Sequence, residues 1–381
     1  MLRVFQFTPL YYISLYLKFF YLLLLVSSPL HAQTNGQLWT LELKTQDGTY
    51  TGHPLLATED HIDLLLTNGQ WAQIPTKAVD HYRKESDRFI SETQSRMKGE
   101  LLIEFGSRYT VTGTGHYLVV HLKNSQKGWP KRFEELYRSF EQYFRVRGLA
   151  LEKPPFPLVA VIFPTQQEFL KDARLRGKQL PSQVLGYYDV ATNRIYLFDN
   201  QKVKKNSQEA TGNNLATIIH EATHQMAFNT GVHSRFSATP RWVVEGLGTL
   251  YEAPGMWDRK LANDPKSRVN QKMLGAFRAF QQKGRPQGYF LQLIQRDRLF
   301  QTNSEAAYAE SWALSFFLSE TMPKEYAQYL KRTAEREIFT QYSPIDRLND
   351  FKEFFGKSPA ILENRFLQFI EKQKDHTARQ K

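Results

Sequence analysis

The sequence predicts an α+β protein, and three observations carry the prediction. Residues 36–80 alternate apolar and polar positions between Asp-Gly and Asn-Gly turn signals, a pattern of short antiparallel hairpins. Residues 101–198 interleave β-rich runs with amphipathic helical stretches, which predicts a mixed sheet with helices packed on it. Beyond Ser207 almost everything follows helical periodicity, so a helical subdomain is expected to complete the chain. With 41% hydrophobic and 14% aromatic residues over 381 positions, there is enough apolar surface for two or three packed domains, which excludes a disordered chain.

Residues 1–32 contain no acidic side chain and only Arg3 and Lys18 as charges, with an apolar run from Phe19 to Val26 before Ser27-Ser28-Pro29. This reads as a signal peptide cleaved after Ala32, the run being short of the roughly 20 residues that a membrane span needs. Left uncleaved, it would tether the protein to a membrane by its N-terminus; in both cases the body is expected outside the cytoplasm, periplasmic or secreted. The chain has no cysteine. That rules out a disulfide framework, a thiol nucleophile and a cysteine-based zinc site, and it fits a bacterial periplasm. Losing Arg3 and Lys18 lowers the net charge of +12 by two, and a basic balance suits acidic envelope polymers or membrane surfaces. No basic stretch interleaved with aromatics is present to read bases, so no specific nucleic-acid partner is expected.

Residues 33–80 hold the runs Leu38-Trp-Thr-Leu-Glu-Leu-Lys44, Ile62-Asp-Leu-Leu-Leu66 and Trp71 to Ile74, separated by Asp47-Gly48 and Asn68-Gly69 and ended by Pro75. They predict a small antiparallel β-barrel of SH3-like type. The polar residues 81–100, with Arg83, Lys84, Glu85, Asp87 and Arg88, are expected to form a linker helix, and the main domain is expected to span 101–372. Within it the expected elements are strands at 101–105 and 117–122 around Gly113-Thr-Gly115, an amphipathic helix over 131–147 and a buried strand at 158–163. A helix capped by Thr165 and a strand at 193–198 follow. The basic tail 373–381 is expected to fray.

The chemistry is concentrated in Ile218-Ile-His-Glu-Ala-Thr-His-Gln225. On a helix, residues four apart share a face, so His220 and His224 can reach one ion, with Glu221 beside the open coordination position. Asn213 or Asn214 is the expected N-cap and Gly231 the C-cap, while Leu215, Ile218, Ile219, Ala222 and Met226 form a stripe away from the histidines. A five-residue pattern also arises by chance, and a third ligand decides the matter. Thr239 as N-cap and Pro240 as first helical residue signal a second helix, Arg241 to Glu252, carrying Glu245. That carboxylate would complete a two-histidine, one-glutamate zinc site with one open position. Glu252 shares its face and is the alternative, as ligand or as hydrogen-bond support behind a histidine; His233 could reach the ion only from a loop.

The segments His220-Glu-Ala-Thr-His224, Phe228-Asn-Thr-Gly231 and Pro240-Arg-Trp-Val-Val-Glu-Gly246 resemble a largely uncharacterised family of exported bacterial gluzincins in the peptidase MA clan. The resemblance covers roughly residues 110–369. It implies a thermolysin-like catalytic core, one zinc ion, and His220, His224 and Glu245 as its ligands. One departure stands out: thermolysin has an Asp four residues after the ligand Glu, where this chain has Thr249, so support for the histidines must come from elsewhere, with Glu252 the candidate. Glu221 is then the base that activates a metal-bound water, and Tyr308 the candidate donor to the oxyanion. Arg235 or Arg241, together with Tyr187, would contact substrate. The strand at 193–198, preceded by Gly186-Tyr-Tyr-Asp189, would be the edge along which an extended peptide lies. The expected substrate is a peptide or a cell-wall amide. The rival reading is a non-catalytic envelope protein in which zinc stabilises a binding fold, and an intact Glu221 argues against it.

Overall fold

A computed structural model describes residues 38–125, 128–199 and 208–374. The expected export segment and most of the basic tail lie outside them. Two compact units divide the chain, one running to Thr93 and taking in Ala191–Asn193, the other from Gln94 to Val190 and from Arg194 onward. Among the described residues, no helix is long and apolar enough to cross a membrane.

The first unit is a five-stranded antiparallel sheet of β1 (Thr40–Thr45), β2 (Gly48–Ala57), β3 (His61–Leu66), β4 (Trp71–Pro75) and β5 (Val79–Ser86), in the order β4-β3-β2-β1-β5. The two predicted turns are present, Gly48 and Gly69 both taking positive φ. Alternate residues Leu41, Leu43, Ile62, Leu64 and Ile74 build the core. Two expectations fail here. The sheet is not closed into a barrel, because β4 and β5 lie at opposite edges and do not pair. Residues 81–86 form strand β5 rather than a linker helix: the charged run lies along an edge and pairs with β1, Arg83 Nε donating to Glu42 Oε1 at 2.9 Å. The helix begins later, as α1 (Gln94–Phe105), and absorbs the expected strand at 101–105. That short apolar run fits either period, and in the helix Leu101 points inward while Ile103 is 85% exposed.

The second unit opens with a mixed sheet. Strands β6 (Tyr109–Gly113), β7 (Tyr117–Leu122), β8 (Leu158–Phe163), β9 (Gly186–Asp189) and β10 (Arg194–Phe198) take the order β6-β7-β8-β10-β9. The wholly buried β8, Leu-Val-Ala-Val-Ile-Phe, runs parallel to both neighbours, as a central strand covered on both faces should. On one face α2 (Trp129–Arg145) buries Phe133, Phe140 and Phe144 against Tyr117, Val119 and Ala160. On the other, α3 (Gln166–Leu175) buries Phe169 against Phe163 and Phe198, its Thr165 cap accepting from Glu168 N at 3.2 Å.

Helices follow: α4 (Gln208–Asn229), α5 (Arg241–Tyr251), α6 (Pro254–Trp257), α7 (Gln271–Gln282), α8 (Tyr289–Gln295), α9 (Leu299–Thr302), α10 (Ser304–Thr321), α11 (Pro323–Ala334), α12 (Pro344–Phe355) and α13 (Pro359–Glu371). Helix α4 starts at Gln208, so Asn213 and Asn214 are interior rather than capping; the few tenths of a kcal/mol that each costs do not stop a helix. Its stripe of Ile218, Ile219, Ala222 and Met226 joins the core as expected. Helix α10 is buried nearly all round, from Ala306 to Ser319, and forms the axis of the helical part. Gly246 lets α5 approach it: a Cβ there would lie 2.2 Å from Ser315 Oγ and 2.7 Å from the Ser311 carbonyl.

Candidate metal centre

Helices α4 and α5 bring the predicted ligands together. His220 Nε2 and His224 Nε2 are 2.9 Å apart, and Glu245 Oε2 lies 3.3 Å from the first and 3.6 Å from the second. A tetrahedral zinc ion with bonds of about 2.0–2.2 Å has ligand-to-ligand edges of about 3.3–3.6 Å. The three observed edges scatter around that range, and the donor set of two imidazoles and one carboxylate suits zinc. Among the described residues this is the one group of three or more such side chains whose donor atoms converge, all within 4.8 Å. His233, the loop alternative, is buried and packs on Phe228. Burial and the neighbouring His224 push its pKa down to about 3, which keeps it neutral, and it is not in the converging group.

The imidazoles and carboxylates of the group act strongly on one another's ionisation. Burial opposes ionisation of His220, but the Glu245 and Glu252 carboxylates raise its pKa well above the usual range. Burial likewise opposes ionisation of Glu245, and the two histidines nevertheless hold it well below the usual carboxylate range.

Behind the ligands, His220 Nδ1 donates to Glu252 Oε1 at 2.9 Å. A carboxylate only accepts, so with an ion bound this bond would keep the proton on Nδ1 and leave the Nε2 lone pair to the metal. Glu252 is therefore support rather than ligand. Its other oxygen accepts from Asn270 Nδ2 at 2.9 Å. Thr249, which stands where thermolysin has Asp, turns its hydroxyl back onto the Glu245 and Gly246 carbonyls of its own helix. Gly248 faces the His220 ring, where a Cβ would come within 2.8 Å of Cε1 and 3.0 Å of both nitrogens.

Glu221 Oε2 accepts from the backbone N–H of Tyr188 in β9 at 2.7 Å. Burial raises the Glu221 pKa against the opposing pull of both histidines. The edge strand is thus the four-residue β9; β10, expected at the edge, lies inside the sheet between β8 and β9. Alternation along β9 also reassigns its tyrosines. Tyr187 points to the far face, stacking on Tyr196 at 5.1 Å and packing on Phe169, while Tyr188 turns towards α4 and stacks on Phe228 at 5.7 Å.

Arg235 is half-buried, packs over Phe236 at 5.2 Å and donates to the Val190 carbonyl just past β9. Arg241 is exposed and pairs with Glu245 Oε1 at 3.5 Å. The Tyr308 hydroxyl meets Arg241 and Glu245, and burial together with Glu245 pushes its pKa up. Tyr308 also lines, with Glu305, Met273, Ala276 and Ala279, a cavity of about 690 Å³ between α7 and α10. The start of α5 is not capped by Thr239, as its sequence suggested; Asp297 Oδ1 accepts from Arg241 N at 2.9 Å instead, and Arg347 grips both Asp297 oxygens at 2.9 Å. Asn270, Gly248, Asp297 and the Tyr188 N–H escape a sequence reading because each acts across the fold. The only local trace is Gly246-Leu-Gly248, two poor helix formers in mid-helix.

A family model described as a protein of unknown function (DUF1570) matches residues 214–340, a span that includes every ligand candidate, Glu221, Glu252, Asn270 and Tyr308. No curated protein matches the chain. Among solved structures, the chain is similar to a mutant of an M1 zinc metallopeptidase from Deinococcus radiodurans, at 16% identity and a TM-score of 0.37. That similarity covers 70% of this chain and 52% of the other, so the chain spans about half the length of that protein.

Proposed function

We propose that this protein is a zinc-dependent hydrolase of peptide or related amide bonds. The observation that carries the reading is the convergence of His220, His224 and Glu245 on one point, with the Glu221 carboxylate fixed beside them by the Tyr188 N–H. Zinc held by His220 Nε2, His224 Nε2 and Glu245 Oε2 would supply Lewis acidity towards water and the substrate carbonyl.

The chain's own groups account for the rest of the chemistry. The Glu221 carboxylate takes the proton of the attacking water and passes it to the leaving nitrogen, a role worth about 10² to 10⁴ in rate. Its raised pKa brings it closer to neutral working pH, which favours a group that must both accept and release a proton. Tyr308 keeps its own proton: with its pKa pushed up by burial and Glu245, the hydroxyl remains a donor to a developing oxyanion. An extended substrate would lie along β9, where one N–H is already committed to Glu221. The N-terminal sheet we read as an SH3-like spacer or binding module, supported by a strand order in which β5 returns to pair with β1.

The test compares wild type with Glu221→Gln for zinc content and for hydrolysis of a mixed library of peptides and peptidoglycan fragments. The variant is expected to keep its zinc and to lose hydrolysis by about 10² to 10⁴. Equal activity in both proteins, or a wild type without zinc, would sink the proposal; the library fraction consumed identifies the substrate class.

A further inference from the structure

We propose that Asn270 is a positioning residue of the metal centre, holding Glu252 so that His220 keeps its Nε2 lone pair directed at the ion. The inference rests on the zinc reading above and adds a residue outside the ligand set.

The Asn270 side chain is 7% exposed and every part of its amide that faces the protein is used. Its Nδ2 donates to Thr249 O at 3.0 Å and to Glu252 Oε2 at 2.9 Å, and its Oδ1 accepts from Met273 N at 3.2 Å. The orientation of the amide is not arbitrary: two acceptors face one end and a donor faces the other, so a flip would break all three bonds. Thr249 O belongs to the last turn of α5, where carbonyls have no partner in the helix, and Met273 N belongs to the first turn of α7, where N–H groups have none. One side chain therefore joins the end of the helix that carries Glu245 to the start of α7.

Glu252 sits just past the end of α5, as its C-cap. A glutamate at such a place has three rotatable side-chain bonds, and its hold on His220 Nδ1 is only as well defined as its own second oxygen. Asn270 supplies that second anchor. Asn270 Nδ2 and His220 Nδ1 both donate to Glu252, one to each carboxylate oxygen and each at 2.9 Å, so the carboxylate is held from two sides behind the ligand ring.

A purely structural role, capping α7, is separable by experiment. Serine caps a helix as well as asparagine does, but it lacks the amide arm that reaches Glu252. Zinc affinity of the metal-free full-length protein is measured by chelator competition for wild type, Asn270→Ser, Asn270→Ala, Glu252→Gln and the Asn270→Ser, Glu252→Gln double variant, with thermal melting of each metal-free form. Asn270→Ser, which keeps the cap of α7 but loses the bonds to Thr249 and Glu252, is expected to fold with a modestly lowered melting point and to lose about 10- to 100-fold in zinc affinity, the range typical of losing support behind a ligand. Asn270→Ala is expected to lose the same affinity and to melt lower. In the Glu252→Gln background, Asn270→Ser is expected to add no further loss.

Unchanged affinity in Asn270→Ser, or losses that add to those of Glu252→Gln, would overturn the inference; should the serine variant not fold, unchanged affinity in Glu252→Gln alone does so. A wild type that binds zinc without hydrolysing amides overturns the proposed function and leaves this inference standing, and a wild type that binds no zinc overturns both.

Discussion

Two glycines of α5, two positions apart, meet different neighbours, and substitution should separate their roles. Gly248 abuts the His220 ring, so the methyl of Gly248→Ala must push the imidazole. Zinc affinity is expected to fall by about 10-fold or more, as when a ligand is misdirected. Gly246 abuts Ser311 and Ser315 of α10, and Gly246→Ala is expected to lower stability by about 1–3 kcal/mol through overpacking, with little change in zinc affinity. Chelator competition and denaturant unfolding of both variants check the pair; equal effects on zinc affinity would refute the distinction. At this scale the sequence displayed the ligands clearly, because His220, Glu221 and His224 lie within one helical turn and Glu245 on the next helix start. It displayed Asn270 and Gly248 poorly, because what they touch is 18 to 28 positions away in the chain and no local period encodes it.

Helix α5 depends on a partner distant in sequence for its first turn. Asp297 accepts from Arg241 N, and Arg347, with a side chain 9% exposed, holds the Asp297 carboxylate in place. Asp297→Ala removes the cap and leaves a largely buried guanidinium without its partner, so a loss of about 1–3 kcal/mol is expected in urea unfolding. Asp297→Asn keeps an acceptor for Arg241 N and should lose less; an alanine variant as stable as wild type would show that the cap contributes nothing. Element types were legible where the period ran long enough. Helix α2 and strand β8 formed where apolar spacing placed them, and Thr165 capped α3. Boundaries were less legible: the same charged run, 81–86, satisfies an exposed helix or an edge strand, and only pairing with β1 decides between them. Thr239-Pro240 signalled a helix start correctly while the cap itself came from Asp297, across the fold.

The chain has two units with separate cores, and every residue of the metal centre belongs to the second. A ligand that binds only the folded form stabilises it by about 4 kcal/mol at a free concentration 1,000 times its Kd. Zinc added to the metal-free protein is therefore expected to raise the melting transition of the second unit and to leave that of the first where it was. Calorimetry of the full-length chain with and without chelator checks this; a shift in both transitions, or in neither, contradicts it. The α+β class and the order of sheet before helices were legible from hairpin turns and periodicity. Closure of the first sheet was not, because strand order is set by which edges pair, and turn signals only fix neighbours.

Strand β5 carries a consequence for how this protein behaves in concentrated solution. An open sheet, unlike a barrel, presents a rim of backbone groups on which another chain could polymerise. Here that rim carries Arg83, Lys84 and Glu85, whose side chains pair with Glu42, Asp87 and Arg83 and stay largely in water. A second strand docking there would have to strip those charges of solvent, so the same residues that mimic a linker helix in the sequence act as a guard against fibre-like self-association.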